Sequence, residues 1–324
     1  MSCLPGYDII TIQENFTKLP SVTMYKAGAA VKLEENEQIR QTLALCADVL
    51  SPVTAEGHLI GIPVFTNPYL WHADQETAVK IGLTVPEDGW TWDDFFDLGE
   101  KLDEYNRATG SHIPLLRDEI GQLPYFLVQY NAYAVDLMAG TAAYDSKEFI
   151  DALSRWVDLY GKGLIEPFNS DDSGTALLYC FRAKSYSEYT SDEYDLILPP
   201  VLNSDTKYPV NIARTVVNAN SPCQDVCVDF LAELFTPTYL RSKVFTFNNG
   251  FLLADDVARD LQNDPTGNKA VWYAVLADSA QDYYLGDLFV DQWKTLYPAL
   301  LSGSMSPEAY ARTCQQRAEM VLGE

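Results

Sequence analysis

Chemistry in this chain would have to be built from few ingredients. Only three histidines occur, His58, His72 and His112. None belongs to an H-E-x-x-H pair, so that type of helix-borne zinc site is excluded. No G-x-S-x-G elbow, G-x-G-x-x-G turn or phosphate-binding loop is present, which removes the nucleophile and nucleotide sites those turns position. The six cysteines, Cys3, Cys46, Cys180, Cys223, Cys227 and Cys314, form no C-x-x-C motif. Cys223 and Cys227 are four apart on an expected helix, on one face, and read as two packed thiols. The run Asn169-Ser170-Asp171-Asp172-Ser173-Gly174 echoes the start of a calcium loop. Cys180 stands where that loop needs a bidentate acid, so a solvated turn is the better reading. No metal and no cofactor are expected.

Carboxylates are abundant: 46 acidic residues oppose 22 basic ones, for a net charge of −24. Glycoside hydrolysis needs two placed carboxylates, and the sequence singles out no pair, so a hydrolase stays an alternative only. The charge repels phosphates, which argues against nucleic acid and against an anionic membrane surface as partners. Its spread along the chain fits a solubilising surface. Aromatic side chains are plentiful, with 20 tyrosines and six tryptophans.

The elements that must position these groups alternate between two periodicities. Strands are expected at Tyr7–Ile12, His58–Phe65, Ile113–Leu116, Ala176–Phe181 and Tyr194–Leu198, with an extended crossing segment at Asn211–Ala219. Pro63 should force an edge or a bulge. Helices are expected over Glu34–Leu50, from Thr91 to Arg107, and over Leu123–Met138, Ser146–Tyr160, Cys223–Phe235, Asp255–Leu261, Gly267–Ser279, Asp287–Leu301 and Ser306–Leu322. Thr91 with Asp94 predicts a capping box, and Gly110 a stop. Strands separated by helices indicate an α/β class. At 324 residues and 47% hydrophobic content, the chain suits two domains. No run of roughly 18 apolar residues predicts a transmembrane helix, and residues 1–12 lack the features of a signal peptide. The stretch Ile60–Leu102 reads as a strand leaving one lobe, a loop, and a helix founding the second.

The order of motifs resembles the extracellular solute-binding proteins of ABC importers, in the sugar-binding group that includes maltose-binding protein. Tyr7-Asp8-Ile9-Ile10 is similar to the family's P-D-I-I strand. Gly61-Ile62-Pro63, followed by Tyr69-Leu70-Trp71-His72-Ala73-Asp74, is similar to its G-I-P and L-I-Y-N-K-D pieces. Gly82-Leu83, Pro86 and Thr91-Trp92-Asp93-Asp94-Phe95 resemble G-L-x-x-P-x-T-W-D-E-F. Leu159-Tyr160-Gly161-Lys162-Gly163-Leu164-Ile165, ending at Pro167, resembles L-Y-x-K-G-L-I-x-P. Ser221-Pro222 through Phe230-Leu231, then Gly250, and the tail Leu301 to Ala309 complete the series over nearly the whole chain. Trp71-His72 replaces the usual Tyr-Asn, Leu253 stands where Pro is common, and the usual lead into the Ala176 strand is missing. The family's first strand, first helix, export signal and lipid-attachment cysteine would all precede Tyr7, which predicts a truncated first lobe with an exposed edge.

The resemblance implies a two-lobed periplasmic-binding-protein-like (type II) fold. One lobe would comprise 1–70 plus 216–262, the other 71–215 plus 263–324, with hinge strands near Asn67–Trp71 and Ala213–Ala219. It implies a non-catalytic receptor, expected as a monomer, that binds a small-molecule carbohydrate, most naturally an oligosaccharide, between the lobes. The receptor would present this ligand to importer permease subunits from an extracellular, lipid-anchored or periplasmic position. A polyol, peptide or polyamine is the alternative ligand. Sugar sites combine aromatic platforms with polar groups. Matching positions are Gln13, Glu14 and Asn15 after the first strand, Phe65 and Asn67 before the hinge, and Tyr125 at a helix start. Arg182, Ser185 and Tyr186 follow the Ala176 strand, and Asn249 and Tyr284 complete the set. Trp92, Trp156 and Trp293 are expected in the core.

Overall fold

The computed structural model describes residues 7–13, 21–46, 54–55, 57–118, 123–167, 175–183, 194–242, 253–281 and 287–323. The chain opens with β1 (Ile9–Gln13) and the short helix α1 (Ser21–Lys26). The helix expected over Glu34–Leu50 is shorter: a 3-10 turn at Leu33–Glu35 precedes α2 (Glu37–Leu43). Asn36 is the cause, because its extended backbone breaks the run and its side chain caps the amides of Gln38 and Ile39. Two short strands, β2 (Thr54–Ala55) and β3 (His58–Leu59), pair with each other.

The long strand β4 (Ile62–Ala73) follows, then α3 (Gln75–Lys80) and α4 (Trp92–Thr109). The capping box is present: the Asp94 amide donates to Thr91 Oγ1 at 3.3 Å and the Thr91 amide to Asp94 Oδ2 at 2.8 Å. Gly110, at φ 71°, closes the helix in the left-handed region that a side chain would disfavour. Next come β5 (Leu116–Asp118) and α5 (Tyr125–Ala134). α5 stops short of the expected Met138 because Val135 is extended and β6 (Val135–Asp136) pairs with β7 (Thr141–Ala142) as a small hairpin. Helix α6 (Lys147–Gly161) is capped by Ser146, whose Oγ accepts the Phe149 amide at 3.2 Å.

Four strands follow: β8 (Ile165–Pro167), β9 (Leu178–Arg182), β10 (Leu196–Ile197) and β11 (Tyr208–Val217). Helices α7 (Gln224–Leu234), α8 (Pro237–Ser242), α9 (Ala254–Gln262) and α10 (Asn268–Ala277) come next, then β12 (Ser279–Gln281). The helix expected over Asp287–Leu301 is interrupted. A π turn at Gln292–Leu296 joins α11 (Asp287–Asp291) to α12 (Tyr297–Leu301). Pro298 has no amide hydrogen for the preceding turn, and the local widening fits that loss. Helix α13 (Pro307–Gly323) ends the chain.

The main sheet runs β1-β11-β4-β9-β5-β8, with β10 also on β4 and β12 on β11. β1 is its terminal strand among the described residues. β4 holds the arrangement together by changing partners midway. Ile62 to Pro68 pair antiparallel with β11, whereas Tyr69 to Ala73 pair with β9, and Trp71 and His72 with β10. The register slips between Ala213 and Arg214, opposite Phe65 and Pro63, so the proline produces the expected bulge. All ten residues of β11 are buried.

Alternate residues of β4 feed two cores. Tyr69, Trp71 and Ala73 join a large cluster with Trp92, Phe95, Phe126, Phe149 and Trp156 from α4, α5 and α6. Ile62 and Leu70 join a second cluster with Ile212, Leu231, Trp272 and Leu276. α10 thus shares its core with α7. Trp156 is fully buried and Trp92 nearly so, as expected, and Trp293 packs half-buried against the first cluster. Gly99 permits a close approach of α4 to α6, since a Cβ there would meet Leu159 Cδ1 at 2.7 Å and Leu115 Cδ2 at 3.0 Å.

Candidate functional site

Where β4 exchanges β11 for β9, the sheet register gathers residues from distant parts of the chain. Gln13 of β1 and Phe65 of β4 flank Ala213 of β11 from opposite sides. Two positions further along β4, Asn67 faces Asn211. One strand over, Arg182 of β9 faces Tyr69. Four of the sequence-derived candidates, Gln13, Phe65, Asn67 and Arg182, therefore occupy neighbouring register positions. Asn67 and Arg182 are both half-buried. Glu14, Asn15, Ser185, Tyr186, Asn249 and Tyr284 lie outside the described residues, as does the calcium-like run 169–174.

Tyr125, expected as a platform at a helix start, stands in the core at the start of α5. Helix α5 starts where Asp118 Oδ2 accepts the Tyr125 amide at 2.7 Å, and this start turns the ring inward. The ring is fully buried. It meets Trp71 edge-on at 5.5 Å and Tyr69 at 6.1 Å between centroids. Burial holds its hydroxyl well above 10.0, so it is a neutral phenol. In this structure Tyr125 supports Tyr69 from the core. Beneath it, Gln129 accepts the Trp92 indole N–H at 2.7 Å and donates to the Pro200 carbonyl at 3.0 Å. Just before β4, the chain approaches β11 closely at Gly61, where a Cβ would stand 2.9 Å from Val216 Cγ1 and 3.1 Å from the Arg214 side chain.

Sequence reasoning missed two polar residues here. Asn211 is 1% exposed and Thr66 fully buried. Asn211 Oδ1 and Thr66 Oγ1 have no hydrogen-bond partner among the described residues. A buried acceptor left unpaired costs about 1–3 kcal/mol, so each oxygen marks a point where the fold forgoes stability, Asn211 on the Asn67 face of the sheet and Thr66 on the opposite face. The signal was readable in part, because Asn211, Arg214 and Thr215 interrupt an otherwise apolar run, Tyr208–Val217. Paired amides beside a half-buried guanidinium can both donate to and accept from a polyhydroxylated molecule. Among the described residues no group of three or more His, Cys, Asp or Glu side chains is arranged to hold a metal.

Crossing strands that join two α/β arms of one sheet define a two-lobed solute-binding fold. Solved structures agree. The cyclic α-maltosyl-1,6-maltose binding protein of Arthrobacter globiformis superposes with a TM-score of 0.68 at 18% identity, covering 97% of this chain and 84% of that one. The sugar-binding protein MalE of Xanthomonas citri gives 0.68 at 13% identity, over 98% and 84% of the two chains. UgpB of Mycobacterium tuberculosis, solved with glycerophosphocholine, gives 0.65 at 17% identity, over 98% and 84%. No curated protein matches the chain. The sequence profile of bacterial extracellular solute-binding proteins matches residues 11–265, well over half of the chain. The chain belongs to the bacterial extracellular solute-binding proteins.

Proposed function

We propose that this protein is a non-catalytic receptor that captures a carbohydrate, an oligosaccharide in particular, where β4 and β11 cross between the lobes. The observation that carries this reading is the convergence of Gln13, Phe65, Asn67 and Arg182, with the unpaired Asn211 Oδ1, at one crossing. Hydroxyl-rich ligands supply the donors that such oxygens lack. Among the structural relatives, one is a cyclic maltosyl-maltose binder, one is solved with D-mannitol and one with maltose. In this reading the lobes close by hinge motion about Asn67–Trp71 and Ala213–Ala219, held by contacts the ligand makes to both. The closed form delivers its cargo to importer permease subunits outside the cytoplasm. Among the described residues, no helix is long and apolar enough to cross a membrane.

A thermal-shift panel of oligosaccharides, polyols and polyamines tests this. Specific binding raises the melting temperature by mass action. An oligosaccharide is expected to shift it, and Asn67→Ala to weaken that ligand by about tenfold or more, the equivalent of about 1.4 kcal/mol. A shift by a polyamine with none by any sugar would overturn the carbohydrate reading. Turnover of an aryl glycoside would overturn the non-catalytic one.

A further inference from the structure

Helix α7 begins on a pair of thiols that the binding function does not use. Cys223 is its N-cap, with φ −125° and ψ 40°, outside helical values. The Cys227 amide donates to the Cys223 carbonyl at 3.1 Å, which sets the two side chains one turn apart. Their Sγ atoms are 3.9 Å from each other. Cys223 is exposed, while Cys227 is 6% exposed and packs in the second core cluster beside Leu231. Ser221 holds the turn in place: its Oγ accepts the Cys223 amide at 3.1 Å and donates to Asp8 Oδ1 at 2.7 Å. Asn218 donates its amide to the Asp8 carbonyl at 2.9 Å. The dithiol therefore sits at the joint that ties the start of β1 to the end of β11.

We propose that Cys223 and Cys227 are a thiol modification site that closes to an intrachain disulfide by exchange with an external disulfide. The exposed Cys223 thiolate attacks one sulfur of a small disulfide such as oxidised glutathione. That S–S bond breaks, one glutathione thiolate leaves, and Cys223 carries the other glutathione. The Cys227 thiolate then attacks Cys223 Sγ and expels the second glutathione. Two protein thiols are oxidised to one disulfide and one glutathione disulfide is reduced to two thiols, whose protons come from the two cysteines. Closing requires the sulfurs to approach by about 1.9 Å, to a bond of about 2.05 Å. Cys223 stands at the N-cap with non-helical φ and ψ, so its exposed side chain can rotate toward Cys227 without passing a preceding helical turn. An extracellular setting, the one the family occupies, favours the oxidised form.

The full chain equilibrated in a mixture of oxidised and reduced glutathione, then denatured, alkylated and digested with trypsin, tests the proposal. Residues 215–241 form one tryptic peptide that holds both cysteines. This peptide is expected to be two hydrogens lighter than its reduced form, with alkylation of the pair falling about tenfold or more and returning after dithiothreitol. Cys46, Cys180 and Cys314 are expected to stay alkylated, and Cys227→Ser to stop at one glutathione on Cys223. Two alkylated thiols in the wild-type peptide, or arrest of the wild type at the Cys223 adduct, would each overturn the proposal. The wild-type mapping decides even if a variant fails to fold.

Discussion

Replacing Gln129 by leucine is expected to destabilise the protein strongly, although the two side chains are close in size. Gln129 is fully buried in the middle of α5. Its amide joins three segments, accepting from the Trp92 indole at 2.7 Å and donating to the Pro200 carbonyl at 3.0 Å, with the Tyr125 hydroxyl at 3.5 Å. Trp92 is 2% exposed, and Pro200 is buried too. Leucine leaves an indole N–H and a carbonyl without partners where water cannot replace the amide. Each such orphan costs about 1–3 kcal/mol, and the added apolar burial returns part of it, about 1–2 kcal/mol. With about 2 kcal/mol for each orphan and about 1.5 kcal/mol returned, the net loss is about 2.5 kcal/mol. Urea unfolding followed by tryptophan fluorescence measures it, with an unchanged m value showing that the native and unfolded surfaces are preserved. Trp92→Phe removes the donor, so the double variant should be less destabilised than the two single losses combined, by about 0.5–3 kcal/mol. Strict additivity, or a Gln129→Leu loss under about 0.5 kcal/mol, would show that the amide does not bridge α4, α5 and the Pro200 loop.

Gly99→Ala should lower stability by about 1–3 kcal/mol through overpacking, because its Cβ would stand 2.7 Å from Leu159 Cδ1; thermal unfolding without a shift would contradict the close α4–α6 approach. His72 accepts the Asp195 amide at Nδ1 at 2.9 Å and stacks on Tyr179, and burial pushes its pKa below 6.5 despite the opposing pull of Asp195 and Asp74. Between the lowered folded value and 6.5 the unfolded chain binds more protons, so stability should fall as pH drops through this window. His72→Asn should flatten that part of the pH–stability curve, and an unchanged slope would refute the assignment.

Features set within a few residues were legible in the sequence. Thr91 and Asp94 stand three apart and satisfy each other's turn wherever the helix sits, and Gly110 follows because a left-handed cap needs no partner. The inward placement of Trp92 follows from that cap and the spacing of Phe95 and Phe96 along the same helix. Local signals misplaced α2 and the end of α5, where a capping asparagine and an extended valine competed with the apolar period. Pro63 announced its bulge, because a residue without an amide hydrogen cannot continue a ladder.

The crossing itself required tertiary structure. Asn67 opposite Asn211, and Arg182 opposite Tyr69, are products of strand register, which depends on pairing between distant segments. The change of partner at Pro68 and Tyr69 gave β4 its double role, and no spacing in the chain encodes it. Tyr125 shows the same limit: motif order placed it at a helix start, but the rings of Trp71 and Tyr69 decided that it would be buried. The sequence alone determined the family resemblance, the α/β class and most helix starts, because capping and periodicity act over a turn or two. Only the assembled sheet determined which polar groups meet and which buried oxygens stay unpaired, because those depend on groups far apart in the chain being fixed at contact distance.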